Sequence, residues 1–237
     1  MALENRTAVI TGATGGLGTT LTRDLSPLKL NLALLDMDAD KLDALTKIIG
    51  LPESRVLTRT VNLLNAAETR SAAEAVAAKF GRVDILLHVV GGWTGGKTLL
   101  EAPRSDLEFM LNQHVWSSFN VTQAFVPHLI KNRWGRIIMV TSPFASRPNA
   151  KGGPYAIGKA GQEALLLTLS QELKGTGVTA NMLQARSIDV RREKVSAPTV
   201  DNATWTTPEE ISAAVQYLLS DAASPVNGAK IPMHGNY

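Results

Sequence analysis

The sequence predicts an α/β fold: a doubly wound, three-layer sandwich around a seven-stranded parallel sheet. Three observations carry that expectation. Short β-branched or aliphatic runs alternate strictly with longer stretches of helical period, the pattern of strand–crossover–strand units. The strands are apolar along their length, as in Leu32-Ala33-Leu34-Leu35, whereas a strand with one wet face would alternate with polar residues. A glycine-rich turn, Thr11-Gly12-Ala13-Thr14-Gly15-Gly16-Leu17-Gly18, stands where the first strand gives way to the first helix.

In chain order the expected strands are 7–11, 30–36, 55–61, 83–90, 136–142, 178–184 and 230–233. The amphipathic or alanine-rich segments between them, 16–28, 39–49, 66–80, 105–131, 155–173 and 208–219, are each long enough to make a crossover helix. The last carries explicit start signals: Thr207 can cap, Pro208 suits the first helical position and Glu210 completes a capping box. There is no internal repeat or low-complexity run. The one extended irregular stretch, about 186–206, falls after the sixth strand, at the carboxyl end of the sheet where open α/β folds bind ligands, and is expected to form a lid.

Composition narrows the function classes. A chain of 237 residues with 44% hydrophobic and 19% charged residues suits one globular domain with a sizeable core. The formal charge is +3 and the basic residues are scattered, so no nucleic-acid footprint is expected. With no cysteine, a disulfide framework, a thiolate zinc site and a cysteine nucleophile are excluded, and a reducing compartment is favoured. Residues 1–6 contain no apolar signal core, and the longest apolar runs, such as 85–90 with His88 inside it, are far too short to span a membrane. A cytoplasmic protein without membrane partners is expected. His88, His128 and His234 match no metal-ligand spacing, and no metal site is expected.

Two further motifs join the glycine turn, whose free N–H groups and helix dipole suit a pyrophosphate in a Rossmann-like fold. Asp36 ends the second strand eighteen residues after Gly18, where a carboxylate can accept both ribose hydroxyls of an adenosine and repel a 2′-phosphate. The turn offers no basic residue to offset that repulsion, which favours NAD(H) over NADP(H). Ser142 is followed thirteen residues later by Tyr155-Ala156-Ile157-Gly158-Lys159. A spacing of four sets tyrosine and lysine on one helix face. An adjacent ammonium and a positive nicotinamide would favour the phenolate and make the tyrosine a usable acid/base.

Together these residues resemble the short-chain dehydrogenase/reductase family over essentially the whole chain, from the glycine turn to Asn227-Gly228. The resemblance implies that Tyr155 exchanges a proton with the substrate oxygen. It implies that Lys159 binds the nicotinamide ribose and acidifies Tyr155, and that Ser142 hydrogen-bonds the substrate carbonyl or alkoxide. The cofactor-binding set it implies is Gly12, Thr14, Gly15, Gly16, Leu17, Gly18, Asp36, Asn62, Leu63, Val90, Gly91, Tyr155, Lys159 and Ile188. It also implies a homotetramer or homodimer built through the helices at 105–131 and 155–173. The first of these helices carries apolar residues on more than one face, including Trp116, Phe119, Val121, Phe125 and Val126.

Four positions depart from the family pattern. His88-Val89-Val90-Gly91 keeps only the glycine of Asn-Asn-Ala-Gly, which reduces polar support for that loop. Asn62 stands for an aspartate that contacts the adenine, and Ala185-Arg186 for Pro-Gly. His114 stands for an asparagine of the proton relay; an imidazole near neutral pH can take over the relay or simply pack at a helix bend. Arg191-Arg192-Glu193-Lys194 reads as a solvated face or, with Arg186, as a reader of an acidic substrate. A narrower resemblance joins 91–96, 116–118 and 203–206 to dihydropteridine reductase, in which reading Trp93 stacks on a flat heterocycle; otherwise Trp93 and Trp116 are core. The expected function is therefore an NAD(H)-dependent oxidoreductase that interconverts an alcohol and a carbonyl. Its alternatives are an NADH-dependent pteridine-type reductase and a dinucleotide-binding regulatory protein without turnover.

Overall fold

The protein is described from a computed structural model covering residues 3–234. Of the amino-terminal reading, Met1 and Ala2 lie outside the described residues. The strands are β1 (Thr7–Thr11), β2 (Asn31–Asp36), β3 (Val56–Thr60), β4 (Ile85–His88), β5 (Gly135–Thr141), β6 (Val178–Gln184) and β7 (Lys230–Pro232). The α-helices are α1 (Gly16–Leu25), α2 (Ala39–Ile49), α3 (Ala66–Phe80), α4 (Arg104–Leu111), α5 (Ser117–Lys131), α6 (Gly153–Glu172), α7 (Glu193–Ser196) and α8 (Pro208–Leu219). The strands form one parallel sheet in the order β3-β2-β1-β4-β5-β6-β7.

Leu32, Ala33, Leu34 and Leu35 are fully buried, as a strand covered on both faces requires. Two apolar clusters account for this. Val9, Ala33 and Leu86 pack on one face with Val121, Phe125 and Leu166. Ile10, Leu34 and Leu87 pack on the other with Leu21, Leu42 and Val215. The chain leaves β1 and β4 toward opposite faces, so their carboxyl ends diverge and open a crevice between Gly12 and the segment after His88. Among the described residues no helix is long and apolar enough to cross a membrane.

Where element ends differ from expectation, a local cause is visible. The helix expected over 16–28 stops at Leu25 and tightens into a 3₁₀ turn at Ser26–Leu28, which contains Pro27. The strand expected over 83–90 is only Ile85–His88. Ahead of it, the Asp84 carboxylate accepts from the Thr7 amide at 2.9 Å and from Arg82 at 2.6–2.7 Å. The helix expected over 105–131 holds a π turn, Asn112–Trp116, between α4 and α5. The capping box at α8 forms as read: Thr207 Oγ1 accepts from the Glu210 amide at 3.2 Å, and the Glu210 carboxylate from the Thr207 amide at 2.8 Å.

Candidate active site

The glycine turn does what its residue types allow. Gly12 lies at φ +70°, and its amide and that of Ala13 donate to the Leu35 carbonyl at 2.9 and 3.2 Å, tying the turn to β2. Gly18 lets α1 approach the turn: a Cβ there would stand 2.1 Å from the Gly12 carbonyl oxygen. Thr14 donates its amide to Asp36 Oδ2 at 2.9 Å, and Met37 donates to Oδ1 at 2.8 Å. Asp36 therefore orders the turn and faces the crevice at the same time. A cleft of about 550 Å³ runs along this edge, lined by Gly12, Gly15, Asp36, Asn62, Leu63 and Val90 among others. Asn62 uses its side-chain oxygen on the Leu64 amide at 3.0 Å, which leaves its NH₂ for an adenine.

Val89, Val90 and Gly91 also line a second cavity of about 210 Å³, so the two spaces are neighbours along one crevice. This cavity brings together Tyr155, Lys159, His114, Arg186 and Ile188 from α6, the π turn and the segment after β6. Ser142, fully buried, stands close enough to Tyr155 to lower its phenol, and its hydroxyl accepts from the Phe144 amide at 3.3 Å. The His114 and Tyr155 rings meet edge to face with centroids 5.5 Å apart. Leu17 is buried behind the turn, in the core. Among the described residues no group of three or more His, Cys, Asp or Glu is placed to hold a metal ion.

Two expectations about this cavity differ from what the structure shows. The ammonium of Lys159 was expected to acidify Tyr155. Instead Lys159 Nζ is turned inward, donating to the Val140 carbonyl at 2.8 Å and to Gln162 Oε1 at 3.0 Å. Burial pushes the Tyr155 phenol up, against a smaller lowering by Ser142. Burial also drops Lys159 to about 7, opposed by Glu163. His114 does not titrate near neutrality: burial, then the charge of Lys159, pushes it down to about 3. It sits in the π turn as a neutral ring. Nε2 lies 3.0 Å from the Gly92 carbonyl and must carry the proton, so Nδ1 is an acceptor, buried and without a partner.

The loop after β4 keeps its polar support by another route. His88 is fully buried, its Nδ1 2.7 Å from Thr11 Oγ1 and its Nε2 3.4 Å from Ser117 Oγ, so one imidazole links β1, β4 and α5. Neither Trp93 nor Trp116 is core: they are 66% and 54% exposed. Trp93 is also absent from the lining of the cavity that holds Tyr155 and Lys159. Sequence reasoning missed Gln162 and Ser118. Ser118 Oγ donates to the His114 carbonyl at 2.6 Å and accepts from Gln162 Nε2 at 3.0 Å, which continues the chain to Lys159. The available signal was an amide three residues beyond Lys159 on the buried face of the same helix.

The family model for short chain dehydrogenases matches residues 6–199. The chain belongs to the short-chain dehydrogenase/reductase family. It is 28% identical over 244 aligned positions to a 3-oxoacyl-[acyl-carrier-protein] reductase FabG of Thermotoga maritima, spanning 99% of this chain and 98% of the relative. It is 26% identical to D-threitol dehydrogenase of Mycolicibacterium smegmatis, spanning 99% and 94%. Among solved structures, a 7α-hydroxysteroid dehydrogenase complexed with NADH and 7-oxo glycochenodeoxycholic acid superposes with a TM-score of 0.87 at 25% identity, covering 99% of this chain and 94% of that one. Membership makes this short-chain dehydrogenase a Rossmann-fold oxidoreductase of small-molecule substrates that binds a nicotinamide dinucleotide.

Proposed function

We propose that the protein is an NAD(H)-dependent oxidoreductase that interconverts an alcohol and a carbonyl, with Tyr155 as its acid/base. The observation that carries this reading is Tyr155, lining a small cavity next to the cleft of the glycine turn with the fully buried Ser142 beside it. The residues present fit a dinucleotide. The amides of Gly12, Ala13, Thr14 and Gly15 are engaged within the turn, so the first amides of α1, at Gly16 and Leu17, are the helix-end donors it offers; Asp36 faces the adenosine end, and Gly91 leaves space beside the orphaned His114 Nδ1 and the Lys159 ammonium. Gly12, Thr14, Gly15, Gly16 and Gly18 would hold the diphosphate. Asp36, Asn62 and Leu63 would hold the adenosine, and Val90, Gly91, Ile188, Tyr155 and Lys159 the nicotinamide riboside.

When bound, a nicotinamide supplies or accepts hydride. The protein's own part is proton handling. In reduction the Tyr155 hydroxyl donates to the substrate oxygen while Ser142 Oγ–H steadies the same oxygen; in oxidation both steps reverse. The burial that raises the phenol keeps it protonated and ready to donate. His114 contributes as an acceptor: its neutral Nδ1 offers a lone pair at the Lys159 side of the cavity, and the Gln162–Ser118 chain fixes Lys159 relative to the π turn.

Preference for NAD(H) rests on Asp36 and on the lack of a cation to receive a 2′-phosphate. Lys41, the one base lining that cleft, is engaged with Asp38 at 2.8 Å. The reading includes one domain with a lid over 186–206, a cytoplasmic location and a homodimer or homotetramer. An oligomer is supported by Trp116, Phe119 and Ile130, which stay exposed on α5 and its π turn while Val121, Phe125 and Val126 face the core. The test is a fluorescence titration with NADH and NADPH followed by a screen of ketones, aldehydes and alcohols read by NADH absorbance. Tighter NADH binding with turnover of a carbonyl is expected. NADH binding with no turnover of any such compound would make the protein a dinucleotide-binding regulator instead.

A further inference from the structure

The segment 186–206 carries four basic side chains, and three of them are neutralised. Arg191 pairs with Glu193 at 3.8 Å, Arg192 with Glu209, and Lys194 with Glu210 at 2.9 Å. Arg186 is the exception: among the described residues no carboxylate lies within ion-pair distance of it. Its Nη1 donates to Thr204 Oγ1 at 2.7 Å, which fixes one edge of the guanidinium and leaves the Nε and Nη2 N–H groups for an incoming partner. Thr204 is itself nearly buried. The segment's course is held by Asp189, whose buried carboxylate accepts from the Glu193 and Lys194 amides at 2.8 Å, and by the Ile188–Thr206 bridge. Arg186 is thus a positioned cation.

Its place gives it a use. Arg186 lines the 210 Å³ cavity with Tyr155 and Lys159, and that lining contains no acidic residue. The charged groups in that lining are Arg186 and Lys159, both basic. The nearest acid along α6, Glu163, is buried behind the cavity, bonded to Thr141 and Gln184 and paired with Lys230 at 2.5 Å. A substrate oxygen seated at Tyr155 therefore sits in a positive field, with a preset planar fork at the rim.

Building on the oxidoreductase reading above, we infer that Arg186 is the specificity residue for a substrate bearing a carboxylate or phosphate close to its carbonyl or hydroxyl carbon. The guanidinium takes two oxygens of that group while the reacting oxygen meets Tyr155 and Ser142. Neutral substrates of the same shape lose those charge-assisted bonds and leave the cation without a partner.

The test uses two matched pairs, acetoacetate against ethyl acetoacetate and dihydroxyacetone phosphate against dihydroxyacetone. Binding to the NAD⁺-saturated protein is measured by calorimetry, and NADH-dependent reduction by absorbance. At least one anionic probe is expected to bind about tenfold or more tightly than its neutral partner. Arg186→Met should erase that preference while leaving NADH affinity and the neutral probes unchanged, and Arg186→Lys should restore part of it. Three results overturn the inference: neither anion preferred by the wild-type protein; Arg186→Met without effect, which makes the side chain merely solvated; or an equal loss of NADH affinity, which makes the guanidinium a reader of the dinucleotide phosphates. Failure of the wild-type protein to bind NADH is distinct, since it removes the oxidoreductase reading itself and this inference with it.

Discussion

The two ends of the crevice are built on different physics. At the adenosine end, Gly12, Thr14 and Asp36 are held by backbone hydrogen bonds of 2.9–3.2 Å, and the one charged group whose chemistry matters, Asp36, faces open space. At the catalytic end the decisive groups are buried, and burial rewrites their chemistry: Lys159 falls to about 7, His88 and His114 to about 3, and Tyr155 rises. The first end is a template that spacing encodes. The second is a set of desolvated groups whose state depends on what packs around them. Removing a side chain at the first end should change which dinucleotide binds. At the second end it should change proton transfer or its pH dependence and leave dinucleotide binding alone.

The largest expected effect lies at the catalytic end. Tyr155→Phe keeps the ring that packs on His114 and deletes the proton, so turnover should fall by about a thousandfold while NADH affinity stays within about twofold. Wild-type turnover in this variant on an identified substrate would remove the proposed acid/base.

Asp36→Ala is the matching experiment at the other end. It removes both ribose acceptors and frees the Thr14 amide, so NADH affinity should weaken by roughly 10- to 100-fold while NADPH affinity holds or improves. A titration in which NADPH already equals NADH in the wild-type protein would break the template account.

The buried imidazoles give the comparison a pH signature. His88 is held at about 3 in the folded state against an ordinary 6.5, so the unfolded chain binds the proton more readily in that interval. Stability should therefore fall as pH drops below about 6.5 and keep falling toward 3, with His88 alone costing about 2 kcal/mol at pH 5. His88→Asn, still able to bond Thr11, should shrink the difference between urea midpoints at pH 7 and pH 5. An unchanged difference would mean that His88 is solvated in the folded protein.

What was legible in the sequence follows the same division. The element order and three helix spans, 39–49, 66–80 and 208–219, could be read from apolar period and punctuation because those signals are local. The glycine turn and Asp36 were legible because a strand-to-helix turn fixes their positions in one step. The π turn was not: an extra residue in a helix leaves no trace in the apolar pattern, and here the Ser117 and Ser118 hydroxyls bond back to the Gln113 and His114 carbonyls. The inward turn of Lys159 was hidden for a related reason. Its partners, the Val140 carbonyl and Gln162, come from a backbone and a buried face that only folding brings together. The exposure of Trp93 and Trp116 was equally hidden, since an aromatic run reads alike whether it faces the core or a partner.

The smallest expected effect concerns His114 and separates an acceptor from a filler. As a neutral ring with its Nε2 proton committed to the Gly92 carbonyl, it has only the Nδ1 lone pair to offer, and it adds no ionisation between pH 5 and 8. His114→Asn retains an acceptor near that position, so turnover should stay within about threefold. His114→Leu fills the volume without an acceptor, so turnover should drop by about tenfold, with NADH affinity and thermal midpoint close to wild type. The kcat profile of all three proteins should share the same ionisation near 7, because it belongs to Lys159, whose ammonium is lost as pH rises through that value. Full activity in the leucine variant would reduce His114 to packing. A profile whose ionisation near 6.5 disappears in both variants would show instead that the ring titrates in the working enzyme, and that burial at this end of the crevice is relieved once the dinucleotide binds.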